Sequence, residues 1–165
     1  MKNIIMTTAA AAILLASCSS SSKVSDSHSD STTVAKDTSL TAILSANSEA
    51  KLSDSIKVNF VVYNHTDSTR QFCKWHTPFE PLMSKYLDVT AADGTEAQYQ
   101  GPMAKRIMPP PADSYISVKP GDSLKAEINV SKAYQITKPG KYALKYNSAA
   151  ISGITVKDSL TISIK

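Results

Sequence analysis

From residue 38 onward, apolar residues recur at every second position, the period of strands that bury one face, and not at the three-to-four spacing of helices. Ile56, Val58, Phe60 and Val62 alternate with Lys57 and Asn59, and the run stops at the turn-rich Asn64-His65-Thr66-Asp67. Leu124, Ala126, Ile128 and Val130 alternate with Lys125, Glu127 and Asn129. Two further runs follow, Tyr142, Leu144 and Tyr146 around Ala143 and Lys145, then Leu160, Ile162 and Ile164 around Thr161 and Ser163. Asp93-Gly94, Pro120-Gly121-Asp122 and Pro139-Gly140 punctuate the runs as turns. Short strands between such turns predict an all-β domain, a sandwich of two antiparallel sheets. Helical turns are expected at Pro81–Lys85 and Ser131–Gln135 alone.

The first segment has a different pattern. Lys2 precedes a short apolar stretch from Ile4 to Leu15. That length falls short of the roughly 20 apolar residues a membrane-spanning helix needs, and it fits an export signal. Its end, Leu15-Ala16-Ser17-Cys18, resembles the bacterial lipobox. The resemblance implies cleavage before Cys18 and lipidation of that cysteine with diacylglycerol and an N-acyl chain, and more than one acyl chain anchors a protein stably. An ordinary secretory signal with an incidental cysteine is the plainer alternative. Ser19 to Asp37 is rich in Ser, Thr, Asp and Lys and nearly devoid of apolar residues, a composition that cannot offset the entropy of ordering. The expected organisation is therefore a lipoprotein signal peptide over residues 1–17, a lipidated, disordered Ser-rich tether over 18–37, and one β-sandwich domain over 38–165. Ser19 after the lipidated cysteine favours the outer membrane by the rule of enteric bacteria, so the expected location is the bacterial cell envelope, lipid-anchored at the outer membrane.

Composition narrows the function classes. With 42% hydrophobic and 19% charged residues in a chain of 165, there is material for one real core. The 18 Lys and Arg against 14 Asp and Glu are scattered, with Lys105-Arg106 the one adjacent basic pair, which is not the clustered stripe of a nucleic-acid binder. If Cys18 is lipidated, Cys73 is left unpaired, and no two thiolates remain for a disulfide or zinc site. The chain lacks a nucleophile elbow, a Walker loop, a dinucleotide fingerprint and a His-Glu-x-x-His helix. His28 falls on the tether, and His65 and His76 fall on loop-like segments. No enzyme activity and no cofactor are expected.

Two segments hold side chains worth weighing. In Cys73-Lys74-Trp75-His76-Thr77-Pro78, a thiolate and an imidazole three apart are able to reach one metal, with Met83, Met103 and Met108 as further soft ligands. The plainer reading makes Cys73 a small core hydrophobe and places His76 on a loop. Strand alternation would put Cys73 and Trp75 on one face, with Phe72 and Lys74 on the other. Lys105-Arg106 lies between Gly101-Pro102 and Pro109-Pro110-Pro111, an exposed loop by composition. It is either a solvated pair or a proline-stiffened loop presenting a basic side chain to a partner at low entropic cost.

The order of motifs also carries resemblances. Pro139-Gly140-Lys141-Tyr142 ahead of Tyr146 looks like the start of strand F in immunoglobulin-like domains, where a tyrosine hydroxyl ties down the corner. The implied fold is an immunoglobulin-like antiparallel β-sandwich. More widely, the span from Val58 to Tyr146 resembles the N-terminal pro-domain of deuterolysin-type zinc endopeptidases, the aspzincins, and above all their peptidyl-Lys branch. The matching pieces, in order, are Tyr63-Asn64-His65-Thr66, Lys74-Trp75-His76-Thr77-Pro78-Phe79-Glu80, Leu87-Asp88-Val89, Asp93-Gly94, and Tyr99-Gln100-Gly101-Pro102. Lys105-Arg106, Pro109, Asp113-Ser114-Tyr115-Ile116, Lys119-Pro120-Gly121-Asp122-Ser123, Tyr134 and Gly140-Lys141-Tyr142 complete the series.

In that family a zinc-binding catalytic domain follows, and its His-Glu-x-x-His motif is not in this sequence. The resemblance therefore implies a free-standing, membrane-anchored pro-domain-like inhibitor or binding module whose partner is a secreted zinc metalloendopeptidase. The implied contact residues are Lys74, Trp75, His76, Thr77, Pro78 and Glu80 in the first segment, and Lys105, Arg106 and Pro109 in the second. A basic side chain would address an acidic specificity pocket, and Pro109–Pro111 would resist cleavage. A sharper variant has Cys73 or His76 supply the open fourth ligand of the protease zinc. The rival expectation is a generic immunoglobulin-like module for cell-envelope adhesion or assembly, with no inhibitory activity.

Overall fold

The computed structural model describes residues 39–165 and forms twelve strands among them. The expected signal peptide, Cys18 and the whole of the tether lie outside the described residues. The strands are β1 (Leu40–Ser45), β2 (Glu49–Ala50), β3 (Lys57–Tyr63), β4 (Arg70–Cys73), β5 (Leu87–Ala91) and β6 (Gln98–Tyr99). After them come β7 (Tyr115–Val118), β8 (Ser123–Asn129), β9 (Tyr134–Gln135), β10 (Gly140–Tyr146), β11 (Ile154–Thr155) and β12 (Leu160–Ile164). One four-stranded sheet has the order β11-β1-β3-β8 and the other β2-β12-β10-β5, while β4-β7 and β6-β9 form two small ribbons.

All four alternating runs of the sequence become long strands: β3, β8, β10 and β12. Val58, Phe60 and Val62 of β3 join Leu40, Ala42 and Leu44 of β1 in one core with Leu87 and Val89 of β5, Tyr142, Leu144 and Tyr146 of β10, and Ile162 and Ile164 of β12. Each large apolar side chain so buried stabilises the fold by about 1.5–3 kcal/mol relative to exposure. On β8, an edge strand, Leu124 and Ala126 are half-buried.

The antiparallel expectation holds for the long pairs and fails at two short ones, because β1 pairs β11 and β12 pairs β2 in parallel. The reason is topological. The β1–β2 and β11–β12 segments both cross from the first sheet to the second, so they run side by side in the same sense. The corner before β10 is as expected: Tyr142 Oη donates to the Lys138 carbonyl at 2.8 Å.

The helical turns differ in part. A short helix, α1 (Val130–Ala133), is capped by Asn129, whose Oδ1 accepts from Lys132 N at 3.3 Å, and it ends where β9 begins. A second, α2 (Ala149–Ser152), closes on Gly153 in the left-handed region. Pro81–Lys85 forms no helix. Met83 O is engaged by Ala104 N, and Lys85 Nζ is drawn to Glu96 and Asp88. With its groups committed elsewhere, the segment has nothing to offset the cost of a helix nucleus.

The β4–β7 ribbon also departs from strict alternation. Phe72 and Cys73 are both buried, since the end of β4 is covered on each side, while Gln71 earlier in the strand stays exposed. Phe72 lies in the main core with its ring 5.1 Å from that of Phe79. The turn out of β3 is closed by buried Asn64, which donates to Val118 O and Ser68 O and accepts from Thr66 N and Oγ1.

Candidate functional site

The chain leaving β4 turns at Lys74–Glu80 and is fastened to the core at several points. Thr77, fully buried, donates from Oγ1 to Lys74 O at 2.6 Å and accepts from Phe79 N at 3.2 Å, shaping the turn locally. The Phe79 ring meets Phe60 and Phe72 edge-on. His76 adopts φ of 58°, a left-handed conformation that histidine tolerates better than branched residues do. Its carbonyl accepts from Tyr146 Oη at 3.0 Å, and its backbone N–H donates to Glu80 Oε1 at 2.9 Å. Burial pushes the Tyr146 hydroxyl up to about 12, so it stays a donor at any ordinary pH. Burial likewise holds the His76 imidazole below its usual value; Glu80 opposes that shift and Arg106 adds to it.

A long loop runs from β6 to the 3-10 turn Ala112–Ser114 and packs against this turn. Its base is set by Tyr99, whose hydroxyl donates to Pro102 O at 3.0 Å while the ring covers Gly101. A Cβ on Gly101 would lie 2.4 Å from that hydroxyl oxygen, which explains glycine at this point of the Tyr-x-Gly sequence. Further along, Ala104 N donates to Met83 O, and at the exit Lys74 N and Nζ donate to Ser114 O and Asp113 O.

Arg106 joins the two segments. Its Nη2 lies 2.5 Å from Glu80 Oε2, and its guanidinium carbon lies 4.7 Å from the centre of the Trp75 ring. The Glu80 carboxylate is 3% exposed and the Arg106 side chain 21%. Arg106 Nε is buried without a hydrogen-bond partner, so stacking on Trp75, more than a second hydrogen bond, sets the plane of the guanidinium.

The Arg106–Glu80 pair thus points inward and apolar groups outward. Ile107 is 84% exposed, Met103 68% and Met108 67%, with Met83 beside the loop also on the surface. Lys105 and Pro109 are exposed, and the Met108–Pro109 peptide is cis.

The sequence-predicted contact residues therefore converge on one platform, with two corrections. Arg106 does not project from the loop, because Glu80 and Trp75 hold it within; of the basic pair, Lys105 alone faces solvent. Glu80, Trp75 and Thr77 are buried and build the platform without presenting a surface of their own. The metal reading also changes. Cys73 is 1% exposed, so its thiol cannot reach a zinc ion held by another protein. Among the described residues no group of three or more His, Cys, Asp or Glu side chains is placed to hold a metal. The exposed tip Met103-Ile107-Met108 is missed by sequence reasoning; its signal is apolar residues without alternation inside a Gly-Pro and Pro-Pro bracket.

Elsewhere, an open cleft of about 640 Å³ lies between the β5–β6 hairpin and the corner before β10, with Asp93, Glu96, Lys138 and Lys141 in its lining. Its lining holds no histidine, cysteine or serine.

A family model for the immunoglobulin-like domain matches residues 44–149. The chain belongs to the immunoglobulin-like domain family. Such sandwiches are typically binding modules and not catalysts. This immunoglobulin-like chain is also similar to an extracellular protease of Aeromonas hydrophila, 29% identical over 96 residues, covering 56% of this chain and 26% of that protein. It spans about a quarter of the length of that relative.

Proposed function

We propose that this chain is a lipid-anchored, pro-domain-like module that binds and restrains a secreted zinc endopeptidase at the bacterial cell envelope. Cys18 carries the anchor, at the outer membrane, and the folded domain carries the recognition. The observation that bears most weight is the braced platform. Two segments 26 residues apart are locked together by Arg106 and Glu80, and the loop they hold projects uncovered apolar side chains. A loop ordered before encounter loses little entropy on binding, which is what a tight protein contact requires. The protease-associated likeness supplies the class of partner.

The adhesion reading draws less support. An aromatic row on one sheet face would favour polymer binding, and among the described residues the large exposed hydrophobics include one aromatic, Tyr115.

The test is steady-state inhibition of a purified Lys-specific deuterolysin-type endopeptidase by the full-length protein. Inhibition with a constant below about 1 μM is the expected result. Folded protein that neither binds nor inhibits at tens of micromolar would overturn the proposal and leave an envelope adhesion or assembly module.

A further inference from the structure

How the partner is recognised is a separate question, and its answer rests on the reading above. We infer that the partner is gripped by the apolar tip Met103, Ile107 and Met108, seated in an apolar cleft whose acidic edge faces Lys105. Arg106 is a positioning residue that holds the tip and does not touch the partner.

Exposure is the first argument. Surfaces tolerate single apolar residues, but three long ones within six positions, each more than two-thirds exposed, form a patch of the kind that marks a contact site. Methionine adapts its shape to an apolar pocket and is enriched where proteins meet. The loop is also held in place: Tyr99 closes over Gly101, Ala104 N bonds Met83 O, and Arg106 is fixed between Glu80 and Trp75.

Charge narrows the partner further. Between Gly101 and Ala112 the ionisable side chains are Lys105 and Arg106, and Arg106 is neutralised by Glu80 inside the platform. The free charge at the tip is therefore a single cation, which an acidic rim complements. A membrane surface fits less well. The loop contains no Trp, Tyr or Phe to sit at a bilayer interface and no basic cluster to meet anionic lipid. A polypeptide cleft on a secreted protease satisfies both the apolar tip and the cationic flank.

The experiment compares binding of full-length variants to the same Lys-specific deuterolysin-type endopeptidase by calorimetry. The double substitution Ile107→Asp with Met108→Asp is expected to weaken binding at least about 100-fold, as loss of a buried anchor does. Lys105→Ala, a rim charge, is expected to cost less than about tenfold. Arg106→Lys retains the charge but not the planar fork, so it is expected to weaken binding about tenfold. The thermal midpoint of the double variant stays at the wild-type value, since both side chains are in solvent.

If the double variant binds like wild type while Lys105→Ala does not, the apolar tip is wrong and the protease partner stands. Arg106→Lys binding at full strength would make Arg106 a charge donor and overturn its positioning role. If the wild-type chain does not bind, the protease reading falls and this inference with it. A Cys18→Ser chain that binds phosphatidylethanolamine–phosphatidylglycerol vesicles through Ile107 and Met108 would reassign the tip to a membrane.

Discussion

In the sandwich core apolar side chains turn inward and lysines outward, as on β10, where Tyr142, Leu144 and Tyr146 are buried and Lys141 and Lys145 exposed. In the platform beside it the order reverses: Glu80 is buried, Arg106 is drawn in over Trp75, and Ile107 and Met108 stand in solvent. Burying a carboxylate costs free energy that a hydrophobic core never incurs, and pairing with Arg106 does little more than offset it. A fold optimised for stability alone has no use for that arrangement. It makes sense if the loop must keep one shape while offering its apolar side chains to something else.

The largest effect separates the two regions. Phe60 is fully buried, and its ring contacts those of Phe79 and Tyr146. Phe60→Ala is expected to cost about 3–5 kcal/mol of stability by leaving a cavity, read as a shift in the urea midpoint. A loss under about 1 kcal/mol would mean that the core is not where the stability resides.

A double-mutant cycle at Glu80 and Arg106 probes the platform. Arg106→Met leaves the Glu80 carboxylate buried with the His76 N–H as its remaining donor, and is expected to cost roughly 2–4 kcal/mol. The combination Glu80→Gln with Arg106→Met removes the charge together with its partner and is expected to recover most of that loss. Equal losses for the single and the double variant would show that Arg106 contributes through packing on Trp75 and not by compensating a buried charge.

The same contrast explains what was legible in the sequence. Period-2 alternation over five or more residues is enough to place β3, β8, β10 and β12, because one buried face imposes it. The Tyr142 corner is legible too, since its hydroxyl reaches back just four residues. Phe72 and Cys73 defeat alternation because the end of β4 is buried on both faces, which no local pattern holds. The contact segments are legible as segments, but not the direction of their side chains. Arg106 and Glu80 are 26 residues apart, so whether the guanidinium faces out or in is decided by tertiary contact alone. Gly101 is a middle case: glycine beside a tyrosine two positions back hints at a close approach, without saying that the ring folds over it.

The smallest effect tests how tightly the platform is sealed. His76 sits at the hinge of the turn with its pKa lowered, chiefly by burial, with Arg106 adding to the shift while Glu80 and a hydrogen bond with the Lys85 backbone oppose it. The folded state therefore prefers the neutral imidazole, and the unfolded chain takes up a proton near the ordinary value of about 6.5. Stability from this group is complete above that pH, declines as pH falls toward the lowered folded value, and changes no further below it. Between pH 7.5 and 5.5 the expected loss is on the order of a few tenths of a kcal/mol, since solvent screens a half-exposed ring. Asparagine tolerates the left-handed backbone at this position, so His76→Asn is expected to abolish that part of the decline while the carboxylates' contribution remains. Urea midpoints at the two pH values, taken for both proteins, isolate the difference. Parallel declines would mean that solvent reaches the imidazole freely and that the seal between turn and loop is looser than the Arg106–Glu80 contact implies.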